Sequence, residues 1–173
     1  ADIVHRDLKP ENIMLETADA KVRLVDFGLA FLSGGNGTSR MTAEGVVAGT
    51  PAYTSPEQAR GGAVNGATDV YALGCVLFEM ISGRPPFLGA DAEVLTRHMY
   101  APPPPLRSQS APLPASLEAL VARLLDKRAD ARPTALEARE QLADAAGQEG
   151  RGRSREDAHV LGRAARMVPA PPE

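Results

Sequence analysis

Apolar residues at Val70, Leu73, Leu77, Met80 and Ile81 recur three or four positions apart, which predicts a helix beginning at Thr68 with this stripe turned to a core. Leu117, Leu120, Val121, Leu124 and Leu125 repeat the period and predict a second. Thr134 and Glu137 stand at capping-box spacing, so a further helix carrying Leu136 and Leu142 follows Pro133. Asp91 to Tyr100 reads as another, ahead of the Pro102 to Pro105 run. Near the start of the chain the pattern shortens. Ile13-Met14-Leu15 and Val22-Arg23-Leu24-Val25 read as brief strands joined by polar, turn-forming residues between Thr17 and Lys21. One hairpin followed by several helices is an α+β arrangement, mainly α-helical.

Composition narrows the class. A chain of 173 residues, 43% hydrophobic and 24% charged with net charge −3, suits one soluble globular core. No basic stripe offers itself to nucleic acid, and no signal peptide or apolar run of transmembrane length is present in the sequence. Cys75, the single cysteine, excludes an internal disulfide framework and fits a reducing, cytoplasmic setting. It reads as a small buried hydrophobe. His98 and His159 lack partners at metal-ligand spacing and read as ordinary surface or satisfied histidines. The Pro102 to Pro105 run reads as a stiff connector rather than a polyproline ligand. From residue 147 the periodicity weakens, so 147–173 is expected to be a tail or linker.

The candidate chemistry is concentrated in two short stretches. His5-Arg6-Asp7-Leu8-Lys9-Pro10-Glu11-Asn12 is followed, fourteen residues after Asn12, by Asp26-Phe27-Gly28. Pro10 should keep the first stretch from becoming helix, and the hairpin between the two should bring Asp26 beside Asn12. An amide oxygen and a carboxylate placed together suit Mg²⁺, a hard cation that takes few protein ligands and fills its shell with water and phosphate oxygens. Gly35-Asn36-Gly37 is no phosphate loop, because Arg40 stands at the third glycine position and no strand-to-helix context surrounds it. After it comes Gly49-Thr50-Pro51-Ala52-Tyr53-Thr54-Ser55-Pro56-Glu57, expected to anchor the end of a mobile loop.

Together these stretches resemble the catalytic loop, metal-binding loop and activation segment of a eukaryotic-like bacterial serine/threonine protein kinase, over about residues 1 to 146. The resemblance implies the C-terminal lobe of that fold and transfer of the γ-phosphoryl group of ATP to Ser or Thr of a protein substrate. In that family Asp7 would accept or orient the proton of the attacking hydroxyl, and Lys9 would set a positive charge against the transferring group. Asn12 and Asp26 would hold Mg²⁺, or Mn²⁺ in its place, with Met14 at the nucleotide site. His5 and Phe27 would support the loops. Asp69 would hydrogen-bond the backbone around His5 and Arg6, and Glu57, in a Ser-Pro-Glu triplet where most kinases have Ala-Pro-Glu, would pair with Arg132. Thr50 would bond to Asp7 and Lys9. Thr42 would be the activating phosphorylation site, with Glu44 supplying part of the charge and Arg6 gripping the phosphate. Tyr71 replaces the tryptophan usual at its position in animal kinases.

A kinase domain also needs an N-terminal lobe with a glycine-rich loop, a phosphate-binding lysine and its partner glutamate, and none of these precedes His5. The expectation is therefore an incomplete domain whose partner is the missing lobe. A helix that normally covers the one around Val70 to Ile81 would be missing too, leaving apolar surface there exposed. Two other readings compete. One is a noncatalytic kinase-fold binding module, against which the full set Asp7, Lys9, Asn12 and Asp26 argues, or a regulatory fragment that pairs with another chain, which stays open. The other is a small-molecule kinase, against which Arg6, Lys9 and the Ser-Pro-Glu anchor argue.

Overall fold

The structure, a computed structural model, describes residues 3–16, 21–27, 51–109 and 112–152, the last six by backbone alone. Among them, β1 (Ile13–Glu16) and β2 (Lys21–Leu24) form an antiparallel hairpin, and five helices follow: α1 (Pro56–Ala59), α2 (Gly66–Ser82), α3 (Asp91–Tyr100), α4 (Ala115–Leu124) and α5 (Ala135–Gly152). Ile13 pairs with Leu24, Met14 with Arg23, and Leu15 with Val22. Pro10 does not exclude helix altogether. It opens a single 3-10 turn, Pro10–Asn12, at whose first position its missing N–H costs nothing.

α2 is the hub. It starts two residues earlier than the apolar stripe suggests, because Asn65 and Thr68 cap it reciprocally, and it ends where Gly83 takes φ 79°. Tyr71, Cys75 and Phe78 of α2 pack against Val121 and Leu125, while Val70 packs against Leu120, Leu124 and Ala138. Tyr53, Leu77, Ile81, Leu106 and Leu117 cover the first cluster from outside. The surface of α2 expected to be bare is therefore mostly covered, with one correction. Met80, placed in the core stripe by its spacing, is 68% exposed; the buried stripe is set by Tyr71, Cys75 and Phe78 instead. Gly74 lets α4 approach closely, since a Cβ there would lie 2.8 Å from Leu124 Cβ.

On α5 the expected core position Leu136 is exposed, and Ala138 and Ala145 are buried, with Leu142 partly so. At Ala138 a small side chain suffices because Leu120 and Leu124 fill the gap. α5 also runs to Gly152, past the residue where its apolar periodicity fades. The Pro102 to Pro105 run joins α3 to the approach to α4 without regular structure, and Pro104 and Pro105 help to wall a cavity of about 620 Å³ beside Phe78 and Pro86.

Candidate active site

The stretch from His5 to Asn12 is fastened to α2 through its backbone. Asp69, in the first turn of α2, accepts from the His5 N–H at 2.7 Å and from the Arg6 N–H at 2.8 Å. Arg6 sits at φ 68°, a left-handed conformation that costs a non-glycine residue about 1–2 kcal/mol, so these charge-assisted bonds hold it where it would not rest alone. His5 is buried. Its Nδ1 accepts from the Asp7 N–H at 3.3 Å, which leaves Nε2 to donate to the Val25 carbonyl at 2.9 Å and binds the loop to the end of β2. Phe27 lies against the His5 ring, 4.9 Å between centroids.

Asp7 and Asn12 come together inside this frame. Asn12 Nδ2 donates to the Asp7 carbonyl at 2.8 Å and lies 3.4 Å from Asp7 Oδ2, while Lys9 Nζ is 3.3 Å from the same Oδ2. The carboxylate is thus aimed by an amide and an ammonium, both partly screened from water. The Val25 N–H donates to the Asn12 carbonyl at 3.0 Å, so the residue beside Asp26 is joined to Asn12. Asp26 itself adopts φ 56° and is exposed. With Nδ2 committed to Asp7, Asn12 retains Oδ1 as its acceptor. An amide oxygen and a carboxylate are hard donors, which fits Mg²⁺ and would not suit a soft metal. Met14 is exposed on β1, across from Arg23.

α1 carries the second part of the site. Glu57 and Arg132 form a two-pronged ion pair, both oxygens at 2.8 Å from the guanidinium, and the Arg132 side chain is fully buried. Arg132 also donates to the carbonyls of Ala67 and Asp126 at 2.8 Å, and Thr68 Oγ1 donates to Glu57 at 2.8 Å. Burial alone would raise the Glu57 pKa; the hydrogen bonds and charge of Arg132, helped by Thr68, outweigh it and bring it below the ordinary value. Arg132 further lies over the Tyr71 ring, 4.8 Å from its centroid.

Tyr71 leads into a polar cluster that its sequence neighbourhood does not announce. Its hydroxyl lies 2.9 Å from His98 Nδ1 and accepts from Lys127 Nζ at 3.2 Å. His98 is no surface histidine. It is fully buried, edge-on to Phe87, and burial assisted by the charge of Lys127 lowers its pKa to about 4. Burial likewise lowers Lys127 to about 8 and pushes the Cys75 thiol far above the reactive range. Val94 and His98, four apart on α3, mark the face that carries this burial in the sequence.

Sequence reasoning passed over Gln58, and it read Ser55 only as part of the Ser-Pro-Glu anchor. Ser55 is buried and caps α1, and Gln58 closes the box by accepting from the Ser55 N–H at 3.0 Å; the Ser-x-x-Gln spacing is the signal that could have found them. Gln58 Nε2 also donates to the Arg6 carbonyl at 2.8 Å. Thr42, Glu44, Thr50 and Gly28 lie outside the described residues.

A loop bolted to a helix through its backbone, an aimed carboxylate and a glutamate–arginine anchor are joined in one compact site. The protein kinase domain family matches residues 1–142, and the chain belongs to that family. It is 46% identical over 132 residues to the DNA damage-responsive serine/threonine-protein kinase RqkA of Deinococcus radiodurans, an overlap of 76% of this chain and 19% of that protein. It is 43% identical over 142 residues to the serine/threonine-protein kinase PknB of Mycobacterium tuberculosis, with 81% and 22% covered. To the serine/threonine-protein kinase pkn3 of Myxococcus xanthus it is 40% identical over 146 residues, with 80% and 26% covered. Its similarity is thus to bacterial serine/threonine kinases, of whose length it spans about a fifth to a quarter.

Proposed function

We propose that this chain is the C-terminal lobe of a bacterial serine/threonine kinase domain, acting with the N-terminal lobe of the same protein to phosphorylate Ser or Thr of protein substrates in the cytoplasm. The observation that carries this reading is the setting of Asp7, whose carboxylate is aimed by Lys9 and Asn12 on a loop fixed by Asp69. ATP with Mg²⁺, or Mn²⁺, would supply the transferable phosphoryl group and neutralise its charge. Asp7 orients the substrate hydroxyl and takes up its proton. Lys9, already beside Asp7, offers positive charge to the equatorial oxygens as charge spreads over them. Asn12 and Asp26 would hold the metal, and Met14 would contribute to the nucleotide site. The Glu57–Arg132 pair keeps α1 in register with α2.

Regulation belongs to the same reading: phosphorylation of Thr42, gripped by Arg6, raises an activity for which Glu44 already provides part of the negative charge. The deciding experiment is γ-phosphoryl transfer from labelled ATP by the complete protein. Asp7→Asn is expected to lower kcat by about 10²–10⁴-fold, and Asp26→Asn to abolish metal-dependent transfer, both with native circular dichroism. Transfer that survives both substitutions would remove the catalytic assignment and leave a binding role.

A further inference from the structure

We propose that Gln58 is a positioning residue for Asp7, setting the peptide plane that precedes it; the inference rests on the kinase reading above. Gln58 uses both ends of its amide. Oε1 accepts from the Ser55 N–H at 3.0 Å, and Nε2 donates to the Arg6 carbonyl at 2.8 Å. A planar group held at both ends cannot let α1 and the loop of Asp7 move independently.

The Arg6 carbonyl and the Asp7 N–H belong to one peptide unit. Gln58 holds its oxygen, and His5 Nδ1 accepts from its N–H at 3.3 Å. The preceding peptide is held as well, since the Arg6 N–H donates to Asp69. Arg6 therefore has its two flanking planes fixed from opposite sides, by α2 through Asp69 and by α1 through Gln58, at a residue whose φ of 68° is unfavourable without such support. Rotation of the plane between Arg6 and Asp7 would swing the Asp7 side chain away from Lys9 and Asn12. The Glu57–Arg132 pair anchors the residue next to Gln58, so the tie runs from a buried ion pair to the aimed carboxylate through one side chain.

The test uses the complete protein. Gln58→Glu keeps the size and the Oε1 acceptor but sets an oxygen against the Arg6 carbonyl, Gln58→Ala removes both bonds, and Ser55→Ala weakens the cap while leaving the bond to Arg6. Two readouts are taken: kcat and KM for phosphoryl transfer, and amide hydrogen exchange across His5 to Asn12. The expected result is a loss in kcat of about tenfold or more in Gln58→Glu and Gln58→Ala, with KM for ATP little changed and exchange accelerated in the loop but not in α2 or α4. Ser55→Ala should lower the melting temperature as much with a smaller loss of kcat. Unchanged loop exchange in Gln58→Glu would overturn the proposal, as would equal kcat losses in Gln58→Glu and Ser55→Ala. If the wild-type protein transfers no phosphate, the kinase reading fails separately, and the exchange measurement still decides whether Gln58 orders the loop.

Discussion

At the scale of single residues, the Glu57–Arg132 pair and the buried His98 make the molecule sensitive in different ways. Removing Glu57 leaves a fully buried guanidinium without its counter-charge, for which losses of 3–5 kcal/mol are typical. Arg132 keeps the carbonyls of Ala67 and Asp126, so the lower end applies and Glu57→Ala should cost about 3 kcal/mol in urea denaturation. Acid acts through both residues. His98 titrates near 6.5 when unfolded and at about 4 when folded, so the unfolded chain binds the proton first and stability falls as pH drops between those values. Because His98 is fully buried, that loss is on the order of 3 kcal/mol. His98→Asn should flatten the pH dependence of the urea midpoint across this window. The Glu57 pKa is lowered on folding, so its stabilisation is intact above its ordinary value of 4.5 and disappears below that, a further loss that Glu57→Gln should remove.

Much of the site was legible because its residues stand at short, fixed offsets. Asp7, Lys9 and Asn12 lie within six positions, and the hairpin that returns the chain to Val25 and Asp26 is written in two short apolar runs joined by polar, turn-forming residues. Glu57 and Arg132, 75 positions apart, could be joined only through the family resemblance; no local pattern links them. Gln58 and Arg6 are separated by 52 positions and escaped notice, since a glutamine after an acidic residue looks like any exposed helix start until the loop it bonds is in place.

At the scale of elements, helical periodicity located the helices but not always the buried face. Met80 and Leu136 satisfy the apolar spacing and are exposed; Ala138 is buried because Leu120 and Leu124 of α4 left only a small gap beside it. Burial depends on what the partner helix presents, and a stripe on one helix does not contain that information. Gly74 shows the same dependence. Alanine there would gain helix propensity of about 1 kcal/mol, yet its Cβ would stand 2.8 Å from Leu124 Cβ and 3.1 Å from Leu125 Cδ2. The nearer atom is fixed to the α4 backbone and cannot rotate away, so the helices must separate. Gly74→Ala should therefore lower stability by a net 1–3 kcal/mol, roughly the range for overpacked cores, measured by urea denaturation. A rise in the midpoint would show that α4 yields easily.

At the scale of the whole molecule, the hairpin gathers several of the exposed apolar side chains among the described residues. None of the described helices is long and apolar enough to cross a membrane. Leu15 pairs with Val22 and Ile13 with Leu24, which puts four apolar side chains on one face of β1 and β2. Leu15 is 44% exposed and Val22 62%, and Leu24 and Phe27 are also exposed. A two-stranded sheet with such a face is marginal by itself and gains by covering it. Under the function proposed above, the N-terminal lobe would be the cover. On its own, this chain should associate through the hairpin, with a weight-average mass in light scattering that rises with concentration and a bound hydrophobic dye. Replacing Leu15 and Val22 together by threonine puts β-branched, strand-compatible side chains at both positions while reducing the apolar face. The double variant should stay monomeric to higher concentration, with its helical circular dichroism intact, because neither residue contributes to the two buried clusters around α2. Association undiminished in that variant would move the sticky surface elsewhere, with exposed Met80 on α2 the next position to replace.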